Sequence, residues 1–329
     1  MTVLIFITAL LGAMALGMPI AFALIACGVA LMLQMSMFDT QIIAQNLING
    51  ADSFPLMSVP FFMLSGAVMN AGGLSKRIIN IAMTLVGHIK GGLGYVAILA
   101  AMVLASLSGS AAADAAAMSA LLFPMMVKSG YDRKSSAGLI ACGSIIGPMV
   151  PPSANIILFG VISGLSITKL FLAAIFPGIM IAAGLVIAWW WVARKQTLAV
   201  HPKASWGERV KAVREGLWAL GMPAILVFGL KFGIFTPTEA GVVCCVYSMF
   251  VAMVIYRELK ISELYEVFAQ GAQTAAIVMF LVAAALVSAW LITVAEIPQQ
   301  VVEMLRPLMG NKLLLMVAIM VLTLSLIHI

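Results

Sequence analysis

The sequence predicts an all-α polytopic membrane protein, and three observations carry that reading. The chain is 64% hydrophobic and 9% charged, whereas a globular domain is about 45–50% apolar and about 25% charged. Its charges leave apolar intervals long enough to cross a bilayer, which takes about 20 residues per helix. Two of those intervals are broken near their middle by Pro, Gly and Ser, and irregular backbone at membrane depth is tolerated only where protein or a water-filled cavity covers it. The composition excludes a soluble, disordered or collagen-like chain. A net charge of +6 on so few basic residues makes no nucleic-acid face. Cys27, Cys142, Cys244 and Cys245 lie in apolar runs, which is no disulfide framework.

The elements follow from the spacing of charges. Residues 1–38 carry none, and Gly17-Met18-Pro19 divides them into two short spans, 2–16 and 19–37, because Pro cannot continue a helix without losing a bond. The opening has no basic flank and runs on too long for a signal peptide. Residues 39–52 are more polar, with Ile42, Ile43, Leu47 and Ile48 at helical spacing, which predicts an interfacial helix; 263–273 reads the same way. Further uncharged intervals cover 53–75, 91–113, 135–168, 170–193, 216–230, 240–256, 267–295 and 313–329. Residues 196–215 form the one sizeable hydrophilic stretch and read as a linker.

Lys and Arg favour the cytoplasmic side. With the linker placed inside, every basic residue falls inside except Lys169, Lys231, Arg306 and Lys312, and the N-terminus falls outside, in the periplasm. That walk requires 91–130 to enter and leave on one side, as a re-entrant helical hairpin with its tip at Ser106–Ser110.

One constant offset superposes the chain on itself. It places Pro19 on Pro237, Cys27 on Cys245, Phe62 on Phe280, Gly92 on Gly310 and Met102-Val103-Leu104 on Met320-Val321-Leu322. An odd number of crossings lies between the copies, so the repeat is expected to be inverted, as in secondary transporters. The first repeat takes residues 1–195, with scaffold spans in 1–90, the first hairpin over 91–130, a broken helix over 135–167 and a span over 170–193. After the linker at 196–215, residues 216–329 read as an incomplete second repeat that ends before a second hairpin tip. C-terminal truncation relative to a working transporter is the expectation.

Two segments concentrate polar chemistry. In Ser106-Leu107-Ser108-Gly109-Ser110, a helix end and a helix start meet, presenting carbonyls and N–H groups. Carbonyls and hydroxyls suit a small hard cation, and N–H groups at a helix start suit an anion. Asp114 lies one turn into the returning helix. It reads either as a carboxylate tuning that site or as a helix-start acid favoured by the dipole. In Gly147-Pro148-Met149-Val150-Pro151-Pro152-Ser153-Ala154-Asn155, the prolines remove donors and free the carbonyls before them. Ser153 is expected to cap the restarting helix, and Asn155 offers donor and acceptor. Thr236-Pro237-Thr238-Glu239 reads as a capping segment, ahead of the alternative of substrate handling. His88, His201 and His328 lack metal spacing. Trp189-Trp190-Trp191 reads as an interfacial aromatic belt. No phosphate-binding loop of the Walker type is present, so no ATP is bound.

Taken together, these motifs resemble the large membrane subunit (M subunit) of tripartite ATP-independent periplasmic (TRAP) transporters. The matching segments are Ser106-Leu107-Ser108-Gly109-Ser110 with Asp114, Pro124 with Gly130-Tyr131, Gly147 with Pro151-Pro152-Ser153, Ser166 to Pro177-Gly178, and Thr236-Pro237-Thr238-Glu239-Ala240. The chain is most similar to the sugar-acid, diketogulonate-like branch. The resemblance implies an inverted-repeat, elevator-type secondary transporter in the bacterial inner membrane. It implies import of a carboxylate by symport with Na⁺, without a resident cofactor or an ATPase. It implies two partners, a small membrane subunit of the Q type and a periplasmic substrate-binding protein. Carried onto this sequence, it puts Ser106, Ser108, Gly109, Ser110, Gly147, Pro151 and Ser153 around the cation, and Ser110, Asp114, Pro152 and Asn155 towards the substrate. A stand-alone ion-coupled carboxylate transporter is the alternative, and an intramembrane enzyme using Asp114 and Glu239 a more distant one.

Overall fold

The computed structural model describes residues 2–108, 111–196, 198, 202–308 and 310–325, which form helices joined by short turns and no strand. The chain divides into two units by contact, residues 1–52 with 278–329 and residues Ser53–Ile277.

The first unit begins with α1 (Thr2–Ala15) and α2 (Ile20–Gln34). Gly17 between them takes φ +82°, a left-handed turn that a side chain resists, and Pro19 starts the second helix. The helix α3 (Thr40–Ala51) opens on Asp39, whose carboxylate accepts from the Gln41 N–H at 2.7 Å. Leu31 and Met32 of α2 pack with Val287 and Leu291, and Ile42, Ile43 and Leu47 of α3 close over this core. Gly28 permits the approach, since a Cβ there would stand 2.9 Å from Leu291 Cδ1. The Ser288 hydroxyl donates to the Leu24 carbonyl at 2.9 Å, and Phe22 meets Phe280 with ring centres 5.2 Å apart.

The second unit contains α4 (Ser58–Ala71), α5 (Leu74–Val86), α6 (Gly92–Ser108), α7 (Ala111–Lys128), α8 (Arg133–Ser144), α9 (Ala154–Ser163), α10 (Ile167–Arg194), α11 (Trp206–Lys231) and α12 (Pro237–Phe250). The helix α13 (Ile261–Val294) starts in it, and α14 (Ile297–Leu305) and α15 (Lys312–Ser325) follow in the first unit. In the second unit α12 packs along α4. A Cβ on Gly241 would stand 3.2 Å from Phe61 Cβ, and the Thr238 hydroxyl donates to the Phe54 carbonyl at 2.9 Å. The α4–α5 turn at Gly73 (φ +70°) is tied down by Arg77. Its guanidinium donates to the Gly73 carbonyl at 3.0 Å, pairs with the Glu258 carboxylate at 2.8 Å and lies 3.6 Å over the Tyr256 ring. At the other end of the hairpin α6–α7, Asp132 caps α8. The Ser135 N–H and hydroxyl donate to its carboxylate and hold it below the usual carboxylate range.

Among the described residues, five helical segments are long and apolar enough to cross a membrane, Phe54–Ala71, Ile167–Arg194, Trp206–Lys231, Pro237–Ile255 and Ile261–Val294. The chain is an all-helical polytopic membrane protein. Three element readings change. Residues 263–273 are not a separate interfacial helix but the first turns of α13, because nothing between them and the Ala-rich run at 275–285 interrupts the helix. The hydrophilic stretch at 196–215 becomes helical at Trp206, where Ser205 and Glu208 form a reciprocal capping box that its charged composition disguised. Trp189 is not an interfacial belt residue: it is 2% exposed, while Trp190 and Trp191 are open, with the Arg194 guanidinium 3.4 Å over the Trp190 ring.

Candidate functional site

The helices α6 and α7 run into and out of the tip that the sequence marks. Gly109 and Ser110 lie outside the described residues. Ser106 and Ser108 lie in the last turn of α6. On the returning side, Asp114 occupies the first turn of α7 and is 2% exposed.

The second segment folds beside it. After α8 ends at Ser144, the chain makes tight turns, with the Gly147 N–H donating to the Ser144 carbonyl and the Val150 N–H to the Ile146 carbonyl, both at 3.0 Å. The Pro151–Pro152 peptide is cis, and both prolines are buried. Gly147 faces α7 directly. A Cβ there would stand 2.6 Å from Asp114 Oδ2, 3.1 Å from the Ser144 carbonyl oxygen and 3.4 Å from the Ala111 nitrogen. The start of α7 and the break after α8 therefore touch, and only a residue without a side chain allows it. Gly178 of α10 closes the other side, where a Cβ would meet Val150 Cγ2 at 2.7 Å.

Ser153 sits at the start of α9 with extended backbone (φ −127°, ψ 126°) and is fully buried. Its hydroxyl does not cap α9, as the sequence suggested. It donates backwards to the Pro148 carbonyl at 2.6 Å, bracing the break across its own loop. The hydroxyl oxygen keeps acceptor capacity. Asn155 is exposed. Gly147 thus meets Asp114, and Pro151, Pro152 and Ser153 are buried in the loop that follows Gly147. Carbonyl, hydroxyl and carboxylate oxygens are hard donors, unsuited to a thiophilic metal. Elsewhere, Glu239 Oε2 accepts from the Thr236 N–H and hydroxyl at 2.8 Å each, closing a capping box on α12. The carboxylate proposed as an enzymatic partner for Asp114 is a structural cap.

A second cluster had no counterpart in the sequence reading. The Trp189 indole N–H donates to the Gly91 carbonyl at 2.8 Å, and its ring stacks on Tyr131 at 6.0 Å and 4°. The Tyr131 hydroxyl accepts from the Leu93 N–H at 3.3 Å. Gly91 takes φ +79°, and a Cβ on Gly94 would overlap the indole. Both feet of the hairpin are thereby fastened to α10. The spacing Gly91-Gly92-x-Gly94 was the available signal, since closely spaced glycines at a helix start mark close approach.

Residues 7–327 match the family model described as "Tripartite ATP-independent periplasmic transporter, DctM component". The chain belongs to the DctM family. This DctM chain is 55% identical over 321 residues to the 2,3-diketo-L-gulonate TRAP transporter large permease protein YiaN of Escherichia coli (strain K12), covering 98% of this chain and 76% of that one. It is 36% identical to the sialic acid TRAP transporter large permease protein SiaM of Vibrio cholerae, over 96% of this chain and 74% of the relative. It is 37% identical to the C4-dicarboxylate TRAP transporter large permease protein DctM of Pseudomonas aeruginosa, over 79% and 61%. The family is one of membrane permease subunits, so the DctM chain is a transporter component and not an enzyme, and the membrane it spans is the inner one.

Proposed function

We infer that this chain is the large permease subunit of a Na⁺-coupled TRAP transporter that imports a sugar acid. The substrate is delivered by a periplasmic binding protein, and the chain works beside a small membrane subunit. The observation that carries the reading is the buried contact of Asp114 with Gly147. It joins the two segments whose oxygen donors suit a cation and whose helix start suits a carboxylate. The 55% identity to a permease named for 2,3-diketo-L-gulonate supports a sugar acid. Ser106, Ser108, Gly109, Ser110, Gly147, Pro151 and Ser153 are proposed to hold Na⁺, and Ser110, Asp114, Pro152 and Asn155 to face the substrate.

An elevator-type movement of the hairpin and broken helix is proposed to carry the site, within an inverted repeat. The order of elements supports that repeat. The series α1, α2, α3 with α4, α5, α6 runs parallel to the end of α11, then α12, α13, α14, α15 at the offset of Pro19 from Pro237. The packing is similar within each unit: Phe22 meets Phe280 in one, and in the other a Cβ on Gly241, one place beyond the position matching Phe22, would stand 3.6 Å from Phe62 Cδ2. The basic residues support a periplasmic N-terminus and a cytoplasmic connection before α11.

The test is uptake of labelled 2,3-diketogulonate into proteoliposomes holding both membrane subunits, with the binding protein outside. Uptake is expected to require an inward Na⁺ gradient and the binding protein. Uptake that survives loss of both overturns the reading. A finer outcome concerns Ser153→Ala. Losing one donor hydroxyl and its bond to the Pro148 carbonyl is expected to raise the Na⁺ concentration for half-maximal uptake about tenfold, the scale of one hydrogen bond to a charged group. Expression should be unchanged, and an unshifted Na⁺ dependence removes Ser153 from the site.

A further inference from the structure

We propose that the cavity between α5 and the start of α11 binds the phosphoethanolamine headgroup of a membrane lipid. This cavity, of about 530 Å³, is lined by Asn80 and Thr84 of α5, Lys203, and Glu208, Lys211 and Glu215 of α11. It is separate from the Asp114–Gly147 site, and the inference does not rest on the transport reading. Among the described residues no ion pair joins Lys203 or Lys211 to Glu208 or Glu215. Glu208 is held in place by the Ser205 N–H, which donates to its carboxylate at 2.7 Å.

The charge set selects the ligand. A plain anion drawn to the two ammonium groups would also meet two carboxylates, and a plain cation would meet the reverse. A group carrying a phosphate and an ammonium a few bonds apart answers both. The phosphate oxygens accept from Lys203 and Lys211, and the primary ammonium donates to Glu215. Asn80 and Thr84 add neutral hydrogen-bonding groups.

The setting points to a lipid as the source. The helix α5 is two-faced. Asn80 and Thr84 line this cavity, while Ile78, Ile81, Ala82 and Leu85 line a separate apolar pocket of about 280 Å³ with Leu220. That apolar face packs on α6 and α11 inside the protein, and the cavity lies at the first turns of α11, a membrane-crossing segment that begins at Trp206, which puts the cavity at headgroup depth. Trp206 opens α11 beside the cavity and is 78% exposed, as ring side chains are at that boundary.

Native mass spectrometry of the purified chain decides it, with separate titrations of phosphatidylethanolamine, phosphatidylcholine, phosphatidylglycerol and soluble glycerophosphoethanolamine. Phosphatidylethanolamine is expected to be retained about tenfold better than either other lipid, because only its primary ammonium donates to Glu215, a charge-assisted bond of that scale. Glu215→Gln should erase the preference over phosphatidylcholine, and Lys203→Ala with Lys211→Ala should lose phosphatidylethanolamine altogether. All three side chains are exposed, so the variants should keep the wild-type melting temperature; if one does not, the wild-type ranking of headgroups decides alone. Equal retention of the three lipids overturns the proposal, as does an unchanged preference in Glu215→Gln. Binding of glycerophosphoethanolamine as tightly as the lipid overturns the lipid source and leaves a soluble phosphodiester as the ligand.

Discussion

Gly147→Ala is expected to reduce uptake by about 10- to 100-fold while the protein still reaches the membrane. The new Cβ would lie 2.6 Å from Asp114 Oδ2, closer than nonbonded carbon and oxygen stand, and a tight 3.1 Å from the Ser144 carbonyl oxygen. Neither neighbour can give way easily. Asp114 is 2% exposed in the first turn of α7, and the Ser144 carbonyl is backbone already accepting from the residue 147 N–H. Overpacking of this kind costs about 1–3 kcal/mol, and about 1.4 kcal/mol is a factor of ten. The strain falls on the contact between α7 and the broken helix, where the oxygen donors proposed for the cation must keep their spacing. A double-mutant cycle isolates the cause. Asp114→Ala removes the clashing oxygens, so melting temperature should recover part of its loss in the double variant. Simple addition of the two single losses would mean that Gly147 matters for another reason. Asp114→Asn keeps the bulk and should give no recovery.

The legible and illegible parts of this fold divide along physical lines. Helix breaks were legible because Pro and Gly act locally: Gly17 with Pro19, and the run from Gly147 to Ser153, are where helices stop. So was the cap on α12, since Thr236 and Glu239 stand at the reciprocal spacing of a capping box. The same box at Ser205 and Glu208 went unread because the surrounding charges gave it the composition of a loop. The destination of the Ser153 hydroxyl was not legible at all. A serine before a helix caps it in most settings, and only the fold of the preceding turns brings the Pro148 carbonyl closer. The closeness of Asp114 to Gly147 depends on α7 packing against the α8 break, a tertiary fact with no local signature. Trp189 was misread for a related reason. Three consecutive tryptophans point in three directions around a helix, and composition treats them alike.

That buried tryptophan carries the other large expected effect. Trp189→Ala removes an indole that is 2% exposed, stacks on Tyr131 and bonds the Gly91 carbonyl. Truncations of this size cost about 3–5 kcal/mol in water-soluble cores, and close packing is what holds helices together in lipid, where burial from water supplies no drive. A large fall in melting temperature is therefore expected, with uptake lost because the feet of the α6–α7 hairpin are released from α10. Trp189→Phe separates packing from hydrogen bonding. It keeps most of the ring but leaves the Gly91 carbonyl without its donor, which should cost about 1 kcal/mol. Tyr131→Phe tests the second half of the clamp, since the Leu93 N–H loses its acceptor while the stacked ring remains. If the cluster works as one fastening, the Trp189→Phe and Tyr131→Phe losses should be non-additive, because each loosens the packing the other depends on. Strict additivity, or a Trp189→Ala protein that melts and transports like wild type, would mean that the hairpin is anchored elsewhere.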